Sequence, residues 1–145
     1  MHRNEAAVDI AAPPEAVHDR LVRPEERVRW VEGLVESEET APGRFREVVS
    51  DHGMRTEVTV ETTRDEPLAV DARMTNRHLD ATVSNRLEPT ADGTATRLTV
   101  TVESRYRGLF ARAASGLVTR HAQTSLEKSV QRLKDLVESE NGTSG

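Results

Sequence analysis

The chain has 145 residues, enough for one domain that buries roughly 70% of the surface its unfolded form exposes. Hydrophobic residues make up 35% and aromatics 3%, so a core must be built from Val, Leu, Ala and Met. The net charge of -5 argues against a nucleic-acid partner, which needs a clustered cationic surface, and the lack of cysteine excludes disulfides, thiolate metal sites and cysteine nucleophiles.

Glu5 to Ile10 reads as a short strand with Val8 and Ile10 on one face, stopped by Pro13 and Pro14. Proline is tolerated in a first helical turn, where its missing N–H is not needed, so Pro14 to Val22 is expected to be a short helix. Pro24 opens a second, ending near Trp30 and Gly33. From Gly33 the period changes to two. Leu34 to Thr40 and Arg44 to Asp51 are strands joined by a turn at Ala41-Pro42-Gly43. Met54 to Arg64 then alternates, with Met54, Thr56, Val58 and Val60 on one side. Strands follow that carry Leu68, Val70, Ala72 and Met74, then Leu79, Ala81, Val83, Asn85 and Leu87, then Leu98, Val100 and Val102. Short connections make these neighbours antiparallel.

Leu109 to about Glu138 has helical spacing instead: Phe110, Ala114, Leu117, Val118, Ala122, Leu126, Val130, Leu133 and Val137 form one stripe. An alternating sheet buries one face and needs a cover, and this helix is long enough to supply it. The first strand can pair with the last, curling the sheet around the helix. One domain over residues 1–140 and a disordered tail at 141–145 are expected. No apolar run approaches membrane-spanning length and no signal-peptide pattern is present, so a cytoplasmic protein without stable membrane insertion is expected.

This order of elements resembles the α+β helix-grip fold of the START-like, birch-pollen-allergen-like superfamily, and within it the polyketide cyclase/dehydrase and lipid-transport type. The residues that carry the resemblance are the opening Val8-Asp9-Ile10-Ala11-Ala12-Pro13-Pro14-Glu15-Ala16-Val17, Trp30 with Gly33, the Asp92-Gly93-Thr94 turn, and Arg107-Gly108-Leu109-Phe110 before the long helix. It spans roughly residues 5 to 138. The resemblance implies a curved antiparallel sheet of about seven strands around the terminal helix, with two short helices after the first strand. It also implies a hydrophobic ligand held between sheet and helix. No catalytic signature unites the superfamily, so it transfers no catalytic residue and no cofactor.

The residues themselves offer candidates for lining such a cavity. Val58, Val60, Met74, Val83 and Leu117 are expected to enclose a sizeable volume, with Met54 as a further flexible liner. Asn85 falls on an apolar face, where its amide needs a partner, either a ligand oxygen or the backbone. His121 lies beside the helix stripe, as a general base or as an ordinary partly buried histidine. Glu47 between Phe45 and Val49 points either inward or to solvent. Trp30 either stacks on a flat ligand or plugs the core. The five histidines lack metal-ligand spacing, and there is no GxSxG, phosphate loop or dinucleotide fingerprint. The expected function is therefore a carrier, monomeric or weakly dimeric, for a lipid, polyketide or quinone-like molecule. The alternatives are a cyclase-type enzyme acting on a polyketide, and an interaction module whose cavity is filled by its own side chains.

Overall fold

The structure, a computed structural model, describes residues 2–51, 53–108 and 116–143, with side chains throughout those ranges except at 116–119 and 141–143. Strand β1 (His2–Ile10) leads into helices α1 (Pro14–Val22) and α2 (Pro24–Trp30), each with its proline in the first turn. Six strands follow: β2 (Leu34–Ala41), β3 (Arg44–Asp51), β4 (Met54–Glu66), β5 (Ala69–Thr75), β6 (Leu79–Pro89) and β7 (Thr96–Tyr106). The terminal helix α3 spans Gly116–Thr143. Gly33 makes the passage from α2 into β2. Its φ is +81°, and a Cβ there would stand 3.0 Å from the Ser50 carbonyl oxygen of β3.

All seven strands form one antiparallel sheet in the order β1-β7-β6-β5-β4-β3-β2, so the first strand does pair with the last. The inward side chains line up in rows across the sheet. One row is Val70, Asn85, Val100 and Ala6; the next is Ala72, Val83, Val102 and Asn4; the third is Met74, Ala81, Ser104 and His2. Strand β4 carries an irregularity between Thr62 and Arg64, where β-bulges re-aim the chain.

Helix α3 packs along the edge strand β1 and reaches the α2–β2 connection on the other side. On the β1 side, Gln123 Nε2 donates to the Glu5 carbonyl (2.9 Å) and Lys134 Nζ to the Asp9 carbonyl (2.7 Å), while the Ala11 N–H donates to the Glu138 carboxylate (2.8 Å). These bonds occupy backbone groups that an edge strand would otherwise leave open to another chain. On the β2 side, the Glu32 N–H donates to Ser129 Oγ (2.9 Å) and Arg132 pairs with Glu32 (2.7 Å). The apolar stripe of α3 is anchored at Val130, Leu133 and Val137, all buried with Ile10, Ala12, Val17, Leu21, Trp30, Leu87, Leu98 and Val100.

The last helix is described to Thr143, and Glu140 near its end pairs with Arg20 of α1 and with Arg29 of α2; residues 144–145 lie outside the described residues. Phe110 and Ala114 of the predicted stripe also lie outside them.

Candidate ligand-binding site

The core is divided. A large cluster joins α1, α2 and α3 to β1, β5, β6 and β7, and a small one holds Phe45, Val58 and Val60 with Ala72 and Met74. Between them the inward-facing Ala72, Met74, Val83 and Val102 are only half-buried, although each belongs to a strand with neighbours on both sides. Interior strands shield side chains from the flanks, so this partial exposure marks where the described residues cover the concave face least.

Two spaces adjoin this region. Beneath α1 and α2 lies a cavity of about 40 Å³, lined by Leu21, Val22 and Arg27 above and by Phe45, Val60, Met74, Val83 and Asn85 below. It is far smaller than the volume expected between sheet and helix, because Leu21, Val22, Arg27 and Phe45 fill the gap; it has room for water on the order of one molecule. The second space is a hollow of about 560 Å³ at the other end of the sheet. Met54, Thr56, Leu79 and Tyr106 line it, and these continue the inward rows of β4, β6 and β7 beyond the buried core. Arg55, Glu57, Asn76, Arg77 and His78 complete its rim.

The expected site residues fall into groups. Val58 and Val60 are buried in the small cluster, and Met74 and Val83 border the 40 Å³ cavity. Met54 is 72% exposed and lines the hollow rather than an enclosed pocket. Leu117 belongs to the first turn of α3, but its side chain is outside those described. Trp30 is buried, and its indole Nε1 donates to the Arg20 carbonyl at 2.9 Å. Asn85 points inward, with Nδ2 donating to the Val70 carbonyl at 3.1 Å. His121 does not face the concave side; its ring is half-exposed and meets the Asp51 carboxylate at 3.1 Å. The helix turns that position beside the β3–β4 connection, a relation across the fold that helical spacing does not contain.

Glu47 does point inward and is 1% exposed. Its carboxylate accepts from Arg27 Nε and Nη2 (2.9 and 3.0 Å) and from Ser37 Oγ (2.7 Å). The Arg27 guanidinium also stands 5.7 Å from the Trp30 ring centroid, a cation–π distance. All three hydrogen bonds to this carboxylate come from the protein itself, two from Arg27 and one from Ser37. Sequence reading missed Arg27, because nothing in a chain marks a pair formed across 20 positions. It also missed Tyr106 and the polar residues Asn4 and Ser104. Strand β1 starts at His2, earlier than alternation of apolar residues alone indicates. On the outer face beside the hollow, hydrogen bonds from Arg73, reinforced by Arg107, pull the Asp80 carboxyl down to about 2. That corner stays ionised through the neutral range. Among the described residues no group of three His, Asp or Glu side chains is arranged to hold a metal ion, and no helix is long and apolar enough to cross a membrane.

Known structures share this architecture. A START superfamily protein from Mycobacterium smegmatis superposes with a TM-score of 0.82 at 17% identity, covering 96% of this chain and 99% of that one. A protein from Thermus thermophilus gives 0.79 at 21% identity, with 93% and 96% covered. The di-domain ARO/CYC protein BexL of the BE-7585A biosynthetic pathway gives 0.75 at 16% identity, covering 95% of this chain and 47% of that one. At such identities the likeness shows the fold alone. No curated protein matches the sequence. The family model for polyketide cyclase / dehydrase and lipid transport, however, matches residues 1–138, the span that holds the sheet, the two short helices and nearly all of α3, and the chain belongs to that family.

Proposed function

We propose that the protein binds a hydrophobic small molecule, of lipid, polyketide or quinone type, on the concave face between the sheet and α3. The observation that carries this is the half-burial of Ala72, Met74, Val83 and Val102 in the middle of the sheet, next to a hollow of about 560 Å³. That volume falls in the range of about 300–1,000 Å³ typical of small-molecule sites. Apolar area removed from water there gains roughly 25 cal/mol per Å². A cytoplasmic location and a monomeric or weakly dimeric state belong to the same proposal.

The enzyme alternative needs an acid–base group free to exchange protons on the concave face. Glu47 is held by Arg27 and Ser37, and His121 lies outside, so the described residues favour binding over catalysis. The test is a thermal-shift panel of fatty acids, quinones and polyphenols, with native mass spectrometry for a co-purifying molecule. A ligand at 100 times its Kd adds about 2.7 kcal/mol of stability, which for a domain this size raises Tm by roughly 5–10 °C. Val83→Phe, which fills the concave face, is expected to abolish that shift while the protein still folds. No shift with any ligand class, and no co-purified molecule, overturns the proposal.

A further inference from the structure

The hollow at the end of the concave face carries a charge pattern unlike that of the rest of the surface. The chain has a net charge of -5, and most arginines with described side chains are neutralised by a carboxylate, as Arg73 and Arg107 are by Asp80. Arg55 and Arg77 line the hollow and are exposed, and among the described residues neither pairs with a carboxylate. Glu57 is the sole carboxylate among the residues lining it, and it forms no ion pair with either arginine. A second hollow, of about 370 Å³, lies at the far end of the 13-residue β4, and its lining is acidic: Glu15, Asp19, Asp65 and Glu66, with His18.

The cationic hollow is continuous with the apolar inner face. Its Leu79 and Tyr106 are cross-strand partners, and the next inward row holds Met74, Ala81 and Ser104. The row after that holds the half-buried Ala72, Val83 and Val102. Four strand residues separate Val83 from Leu79, about 13 Å along β6. An apolar chain of that order of length, laid across these rows, brings its end to the rim where Arg55 and Arg77 stand.

We propose that the ligand is an amphiphile with an anionic end, a carboxylate or a phosphate monoester, which Arg55 and Arg77 hold at the mouth of the hollow while its apolar chain lies on the concave face. The inference rests on the reading of that face as a binding site. A guanidinium presents its N–H donors in a planar fork that matches the paired oxygens of either anion. Exposed pairs of this kind are worth a few-fold each, so the two together give a preference of about tenfold over a neutral head group. Glu57 works against that preference, and so does the net charge of the molecule, which repels an anion elsewhere on its surface.

The experiment compares decanoate, decyl phosphate and 1-decanol, which share a ten-carbon skeleton and differ in the end group. Affinities are measured by titration calorimetry above neutral pH, at low ionic strength and below micelle-forming concentrations, with inorganic phosphate as a chain-free arm. Decanoate and decyl phosphate are expected to bind about tenfold more tightly than 1-decanol, and added salt is expected to erode that preference without weakening 1-decanol. Arg55→Gln and Arg77→Gln are each expected to reduce it several-fold while leaving the Tm of the unliganded protein unchanged. Glu57→Gln is expected to increase it. Inorganic phosphate alone is expected to bind far more weakly than decyl phosphate. Equal affinity for the acids and the alcohol, or a preference unchanged in the Arg55→Gln/Arg77→Gln double variant, overturns the proposal and leaves the binding function standing. Inorganic phosphate binding as tightly as decyl phosphate also overturns it, because the chain then contributes nothing. Failure of all three amphiphiles while a quinone or polyphenol binds overturns this inference alone; failure of every ligand removes the binding function with it.

Discussion

Glu47 shows how a charged residue is held inside an apolar curve. Its carboxylate lies inside the sheet's curve, and Arg27 from α2 reaches it with two hydrogen bonds while stacking near Trp30. Val58 of the small apolar cluster is the cross-strand neighbour of Glu47, so the ion pair occupies ground that apolar contact could have filled. Desolvating both charges consumes much of their attraction, so the pair adds little net stability, yet removing one partner strands the other. Glu47→Leu is therefore expected to destabilise the protein by about 3 kcal/mol, the lower end of the range for buried pairs because Arg27 is 19% exposed. Adding Arg27→Met is expected to recover most of that loss. Urea denaturation of both variants is the check; equal losses in the single and double variants contradict the account. Alternation placed Glu47 on one face of its strand but left open which face was buried. That was settled by Arg27, and a one-residue difference in register would have reversed it.

At the scale of elements, α3 holds the sheet closed but is not uniformly packed. Leu133 is fully buried, with Val130 and Val137 beside it, whereas Leu126, nearly two turns earlier, is half-buried. The C-terminal half of the helix thus anchors the fold, and the preceding turns are less tightly covered. Leu133→Ala is expected to cost about 3–5 kcal/mol, and Leu126→Ala about 1 kcal/mol, because a half-exposed side chain loses less transfer energy and leaves no closed cavity. Denaturant midpoints measure both, and equal costs would show that α3 is packed evenly along its length. The helix and its stripe were legible in the sequence because burial of one helical face repeats every three or four residues. The unequal depth of that burial was not, since it depends on how far each turn stands from the strands opposite.

For the whole molecule, the divided core implies unequal cooperativity. The large cluster ties three helices to β1, β5, β6 and β7, while β3 and β4 are held by the sheet ladder, the small cluster and the Glu47 ion pair. Regions with fewer buried apolar contacts open at lower free energy. Amide hydrogen exchange is expected to be faster at Val58 and Val60 than at Leu98 and Val100, with a bound ligand narrowing the difference; uniform protection across the sheet would count against a two-part core. The sequence by itself determined the element order, the antiparallel pairing of consecutive strands, and a helix long enough to cover the sheet. These follow from local signals: proline in first helical turns, period-two and helical apolar patterns, and short turns between strands. Only the tertiary structure decided that α1 and α2 nearly fill the space beneath them and that His121 turns outward to Asp51. The reason is physical: volume, satisfaction of polar groups and the depth of a hollow are set by side chains distant along the chain, and no periodicity within one segment records what stands opposite it.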